Sequence, residues 1–486
     1  VPSASASSSR SRVVAGRQRT LHLEFIACNQ ELFALAQKPC DMTITRRKLL
    51  GSAAGLGAAA ALGPGAIAAL AGEPRQHPTR YQPLPDPAKS GLDHIVVVCM
   101  ENRSFDHYLG WLPGADGRQK GLTYLDGAGK PHATHHLVDR HGCGNNDPDH
   151  SYEGGRLQFN NGKLDGFRKG DNDDFALGYY LEQDLPFYGP LLKNATTFDR
   201  YFCSILGPTY PNRFYTHAAA TDRIANDSTT STLPTIWDRL ADAGVSSRYY
   251  YSDLPFLVLW GQKYLPISSP VDRFYADAAA GQLASYSYLD PFFLGEGQGG
   301  SNDDHPHADI HRGQAFLSQV AKVLVNSPQW SKTALVITYD EWGGFFDHVA
   351  PPRLPDDHDT GPHGKDDHAQ AGFRVPTMVL SPFARKGHVG HATYDHTSIL
   401  KMVEWRFGLK PLTRRDAAAR NLAESFDFAH PDARIPDLPV VVDPGPHLCQ
   451  PPVGTNPMGL EDPFWRELSD SSLMRDWERA GALMPR

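Results

Sequence analysis

The chain has 486 residues, 40% of them hydrophobic, enough for a sizeable core in one large α/β domain or two ordinary ones. Its formal net charge of -8, with no long basic block, excludes nonspecific nucleic-acid binding and electrostatic adsorption to anionic lipid. Any contact with lipid would have to be local and apolar.

Residues 1–41 are rich in Ser and Arg and have no hydrophobic period. Then comes Met42-Thr-Ile-Thr-Arg46-Arg47-Lys-Leu-Leu-Gly51, and a stretch of Ala, Gly and Leu ending in Ala69-Leu70-Ala71. A paired arginine before a weakly apolar run and a small-residue cleavage site reads as a twin-arginine export signal over 42–71. Residues 1–41 then read as upstream, non-native translation. The glycines, alanines and Pro64 make 51–71 too weakly apolar for a membrane anchor. The expectation is export by the twin-arginine translocation machinery to a secreted or cell-envelope location, with no stable transmembrane segment in the mature chain. Residues 72–91, rich in Pro and charge, read as a linker, and 92–486 as a single domain. The mature chain would keep Cys99, Cys143, Cys203 and Cys449; one or two disulfides are allowed, and the spacing fixes no pairing. Cys99, inside an apolar run, is expected to be a free core residue.

That run, His94-Ile-Val-Val-Val-Cys-Met100, stops at Glu101-Asn102-Arg103-Ser104-Phe105-Asp106-His107-Tyr108. It reads as a buried strand, and open α/β sheets bind ligands beyond the carboxyl ends of their strands. Glu101 and Asn102 stand there, two hard oxygen donors suited to a metal ion, although they could also simply cap the next helix. Next comes Asn146-Asp-Pro-Asp-His150, in a loop dense in Gly, Asp, Asn and His. Gly207-Pro-Thr-Tyr-Pro-Asn-Arg213 precedes a helix-compatible stretch to Ala220. Thr209, held in a Gly/Pro turn just before a helix start, is where a nucleophile would sit, though an isolated Thr there is more often a turn residue. Arg213 and Asn212 are the candidates for substrate binding, Arg213 by bidentate contact with phosphate.

Residues 235–250 read as helix, turn, strand, and 313–325 as a helix. Between them, Ser301-Asn-Asp-Asp-His305-Pro306 supplies a second histidine. With 22 histidines in the chain, only their settings lift His150 and His305 above the rest. The apolar strand 334–339 runs into Asp340-Glu341-Trp342-Gly343-Gly344-Phe345-Phe346-Asp347-His348. Two adjacent carboxylates at a strand end need a cation to neutralise them, and the paired glycines let backbone pass close to a ligand. A further strand is expected at 375–380, a solvated loop at 358–368, and mostly irregular chain after about residue 408. Alternating helix and strand predicts a parallel sheet covered on both faces.

Five segments, 101–108, 146–150, 207–213, 303–306 and 339–348, occur in an order that resembles the bacterial phosphoesterase family of phosphatidylcholine-type phospholipases C and acid phosphatases. The resemblance implies an α/β, alkaline-phosphatase-like three-layer sandwich with a large, mostly parallel central sheet. It implies one divalent metal ion (Ca, Mg, Mn or Zn) on Glu101, Asn102, Asp340 and Glu341. It also implies Thr209 as nucleophile, with His150 and His305 contacting the phosphoryl group and His396 acting from behind the ligands. The function implied is a secreted phospholipase C that cleaves glycerophospholipid through a phosphothreonine. The alternatives are a broad acid phosphomonoesterase and a non-catalytic exported metal-binding protein.

Overall fold

The computed structural model describes residues 83–362, 364–450 and 463–481. The expected upstream segment (1–41), the expected export signal (42–71) and residues 72–82 of the expected linker lie outside the described residues. Within them the expected strands and helices form one central sheet with helices packed around it.

The eight strands are β1 (His94–Met100), β2 (Thr196–Phe198), β3 (Ser247–Tyr251), β4 (Ser268–Pro270), β5 (Tyr286–Leu289), β6 (Thr333–Tyr339), β7 (Met378–Leu380) and β8 (His388–Gly390), in spatial order β8-β2-β7-β6-β1-β5-β3-β4. All pairings are parallel except those of β7 with β6 and β2. The two central strands, β1 and β6, are β-branched or apolar almost throughout. They are buried on both faces, as a parallel sheet requires. β7 is shorter than the 375–380 expected, because Pro376 has no N–H to give the ladder.

Alternate residues of β3 show that helices cover both faces. Tyr249 turns toward His217 of α3 (Thr209–Ala218) and Trp237 of α4 (Ile236–Asp242). Its neighbour Tyr250 turns the other way, stacking edge-on against Phe274 of α5 (Val271–Ala280) and donating to Asp277 at 2.9 Å. α5 packs on α6 (Ile310–Val325), and α3 on α7 (His396–Phe407). α6 starts three residues before the predicted 313 because the Asp309 carboxylate caps the His311 N–H at 2.9 Å. Ahead of all these, a short helix α1 (Phe105–Leu109) follows β1 and is capped by Ser104, and α2 (Tyr152–Phe159) is capped by Ser151. Among the described residues no helix is long and apolar enough to cross a membrane.

Two expectations hold only in part. The C-terminal part is not simply irregular: α8 (Pro463–Ser469) and α9 (Ser472–Arg479) fold back onto the core. Trp465 stacks on Phe293 at 4.2 Å and the Trp477 indole donates to the Gly261 carbonyl. The 358–368 loop is not uniformly solvated either, since Asp367 and His368 are buried and Asp367 pairs with Arg353. Of the four cysteines, Cys143 and Cys449 form a disulfide, while Cys99 and Cys203 are free and buried.

Candidate active site

The site begins with strand register. β1 and β6 run in parallel with Met100 opposite Tyr339, so Glu101 and Asp340 leave the sheet side by side. The Asp340 N–H donates to the Met100 carbonyl at 3.0 Å and keeps the two exits together. β5 ends at Leu289 beside Val98, and Asp290 follows it at the same edge. Three neighbouring strands thus deliver Glu101, Asn102, Asp290, Asp340 and Glu341 to one crevice, all of them buried.

Arg213 is the cation these carboxylates share. Its Nε lies 3.2 Å from Glu101 Oε1 and 3.0 Å from Asp340 Oδ2, and its Nη1 lies 2.7 Å from Asp290 Oδ1. Nη2 donates to the carbonyls of Cys99 and Met100, and Phe293 lies against the guanidinium plane. The expectation of a phosphate contact is therefore corrected: fully buried anions have taken the guanidinium as their counterion. Asn212 is likewise corrected. Its Oδ1 accepts from the Ile205 N–H at 3.0 Å, and its Nδ2 donates to the carbonyls of Ile205, Gly207 and Pro208. Both polar atoms of its amide are thus engaged in fastening the turn.

That turn carries Thr209, which is the first residue of α3 and not the residue before it. It stands at the positive end of the helix, one turn ahead of Arg213, and four-residue spacing puts both on one helix face. The side of α3 that reaches the carboxylates through Arg213 therefore also presents Thr209.

Asn102 Nδ2 donates to Glu341 Oε1 at 2.7 Å, and Glu341 Oε2 accepts from the Gly343 N–H at 2.7 Å. Gly343 (φ +63°) and Gly344 (φ +71°) are left-handed, and a Cβ would lie 2.1 Å from the Asn102 carbonyl in the first and 2.6 Å from Pro148 in the second. The close approach that needs glycine is thus to Asn102 and to the His150 loop. His150 Nδ1 donates to the Pro148 carbonyl at 2.8 Å, which turns Nε2 to within 3.9 Å of Glu341 Oε1. Burial opposes the charged ring, but Glu341 and Asp147 outweigh it and push His150 up to about 9. His305, 6.0 Å away edge to face, is held well below its ordinary value by burial and then by His150. His305 Nε2 lies 3.5 Å from Asp147 Oδ2 and 3.9 Å from Glu296 Oε1. His396 Nε2 meets the Asp340 carbonyl at 2.7 Å and so braces a site residue from behind.

Several site residues escaped the sequence. Oxygens of Glu101, Glu296 and Asp303 lie within 4.8 Å of one another. Asp303 accepts from the Ser301 hydroxyl and the His305 N–H, and its carbonyl accepts from the Glu101 N–H at 2.8 Å. Arg103 donates to the carbonyls of Asp304 and His305, fixing the segment that bears the second histidine. Asp290 follows β5 as Glu101 follows β1, a signal that recognising that strand would have exposed. Glu296, in a glycine-rich turn, gave none.

The residues fit a divalent cation. Glu101 Oε2, Asn102 Oδ1 and Asp303 Oδ2 are buried acceptors without a hydrogen-bond donor. Burial, followed by Asp340, pushes Glu101 far up; burial also lifts Asp340 to about 6, Asp303 to about 7 and Glu341 to about 8. One guanidinium against so many oxygens leaves room for further positive charge, and an all-oxygen donor set suits a hard ion.

The sequence profile described as the Phosphoesterase family matches residues 92–410. The chain is 33% identical over 384 residues to "Non-specific phospholipase C1" of Arabidopsis thaliana, spanning 70% of this chain and 72% of that one. It is 32% identical over 474 residues to "Phospholipase C B" of Mycobacterium tuberculosis, spanning 82% and 88%. Among solved structures, the phosphonate monoester hydrolase of Agrobacterium radiobacter aligns with TM-score 0.36 and 9% identity over 70% of this chain and 78% of that one.

Proposed function

The chain belongs to the phosphoesterase family and is a hydrolase of phosphoester bonds, and from that premise we propose that it is a phospholipase C acting on glycerophospholipid. The products are diacylglycerol and a phosphorylated head group. The observation that carries the reading is the convergence, at one sheet edge, of the oxygen donors of β1 and β6 with Arg213 of α3, one helical turn after Thr209. The names of the two phospholipase C relatives support the substrate class.

Thr209 Oγ attacks phosphorus in line, the diacylglycerol oxygen leaves, and the phosphate stays on Thr209 with its head group still attached, as a phosphothreonine diester. Water then releases the phosphorylated head group from the opposite side. The start of α3 supports negative charge on the attacking oxygen and the phosphoryl group. His150, kept charged by Glu341 and Asp147, protonates the leaving oxygen, and neutral His305 donates a hydrogen bond to an equatorial oxygen. Glu101, Asn102, Asp340 and Glu341 would hold a divalent cation, which supplies Lewis-acid stabilisation when bound. Arg103, Asn212 and His396 keep these groups in place. The twin-arginine segment 42–71 adds export to the reading, and an Arg46→Lys/Arg47→Lys chain retained in the cytoplasm on cell fractionation would support it.

The test compares p-nitrophenylphosphorylcholine with p-nitrophenyl phosphate, before and after chelation and with divalent metals added back. Faster turnover of the choline diester, lost on chelation and restored by metal, is the expected result. Preference for the monoester would instead make the chain an acid phosphatase.

A further inference from the structure

The two disulfide cysteines each stand two residues from a histidine, in His141-Gly-Cys143 and in His447-Leu-Cys449. In the fold the two segments meet residue for residue. Cys143 is bonded to Cys449, and the imidazoles of His141 and His447 stack with centroids 3.9 Å apart and planes 8° apart. One ring nitrogen of each histidine and the Cys143 sulfur lie within 4.8 Å of one another. His141 Nδ1 is buried with no hydrogen-bond partner.

Backbone contacts hold both segments without help from the sulfurs. The Cys449 N–H donates to the Gln298 carbonyl at 2.8 Å, and Gly299 leaves the room that lets the His447 carbonyl sit against it. On the other side, the Arg140 carbonyl accepts from the Ile310 N–H at 2.9 Å, and His307 Nε2 meets the Asn145 carbonyl at 3.0 Å. Opening the disulfide would leave two thiols and two imidazoles facing each other on fixed backbone.

We propose that this clasp is a redox-gated site for zinc, or for a divalent ion of similar softness, separate from the all-oxygen crevice. A dithiol reductant supplies two electrons: the Cys143–Cys449 bond breaks, two thiols form, and the reductant leaves as a disulfide. The ion then binds two thiolates and two imidazole nitrogens, and two thiol protons are released. Tetrahedral Zn–S and Zn–N bonds set ligand atoms roughly 3.3–3.8 Å apart, so the rings must turn out of their stack and the two sulfurs, once unbonded, must part by side-chain rotation. Nitrogen and sulfur donors select such an ion, whereas the oxygen crevice prefers a hard one.

Cobalt(II) is the probe. The full chain, reduced by a phosphine under inert gas and titrated with cobalt, is expected to show thiolate-to-cobalt charge transfer and intense tetrahedral d–d absorption. These signals should saturate at one ion per chain, be displaced by zinc, and be absent from the oxidised chain. His141→Asn/His447→Asn keeps the disulfide for folding and should lose the tetrahedral spectrum after reduction; Cys143→Ser/Cys449→Ser should lose the charge transfer. A reduced chain without charge transfer would overturn the proposal. So would a spectrum unchanged in either variant, because the thiolates or imidazoles assigned here would not be the ligands.

Discussion

Arg213 carries the electrostatics of the crevice, with Glu101, Asp290 and Asp340 all turned to its guanidinium. Removing one partner of a buried ionic group leaves the others uncompensated, which costs about 3–5 kcal/mol. Arg213→Gln is expected to lower the melting temperature sharply, with part of the loss recovered at saturating divalent cation, as read by calorimetry. Thr209→Ala should behave in the opposite way. The residue makes no ion pair, so the fold should survive while turnover falls by roughly three orders of magnitude or more. Thr209→Ser should keep measurable activity. These opposed outcomes separate a structural cation from a nucleophile. Glu101, Asn102, Asp340 and Glu341 were legible in the sequence because each pair ends an apolar run. Arg213 was legible as important but misassigned, since whether an arginine faces a ligand or buried carboxylates depends on chain that folds in from elsewhere.

Elements matter here mainly where they are joined. Asn212 ties the Gly207-Pro208 turn to the first turn of α3, and Asn212→Ala would strand the Gly207 carbonyl and the Ile205 N–H and take one donor each from the carbonyls of Ile205 and Pro208. A loss of about 1–3 kcal/mol is expected, with kcat falling more than KM rises, because Thr209 is displaced rather than removed. A second joint links α1 to the chain after β6 and before β7. Asp106 and Asp116 both hold His348, and Arg374 pairs with Asp106 and Asp347. Burial opposes the charge on His348, but the hydrogen bonds to Asp106 and Asp116 raise it from 6.5 to about 9. Because the folded value lies above the unfolded one, the stabilisation is complete below 6.5 and disappears as pH rises through about 9. Asp116, lowered from 3.8 to about 2 chiefly by the hydrogen bond from His348, keeps its share above 3.8 and loses it as pH falls through about 2. His348→Gln should therefore flatten the alkaline fall in melting temperature, and an unchanged slope would contradict this reading. The sequence disclosed β1, β6, α4 and α6 through their periodicity. It did not disclose that β7 runs antiparallel, because strand direction is set by connections and not by composition.

At the scale of the whole molecule, the C-terminal helices matter for the site. Trp465 of α8 is buried, stacks on Phe293 beneath Arg213, and lies 5.1 Å from the ring of Tyr210, the neighbour of Thr209. Trp465→Ala should cost about 3–5 kcal/mol and slow turnover as well, a coupling that thermal melts and initial rates on one preparation would reveal. Nothing in the local pattern announced this return, since Trp465 and Phe293 are far apart in the chain and each looks ordinary alone. The central claim is that Thr209 is phosphorylated during turnover of a phosphodiester. Rapid acid quench during hydrolysis of the choline diester, followed by peptide mass spectrometry, tests it most directly. A phosphorylcholine group on Thr209, absent from Thr209→Ala, is the predicted result; full turnover with no adduct, or with an adduct on another residue, would contradict the account.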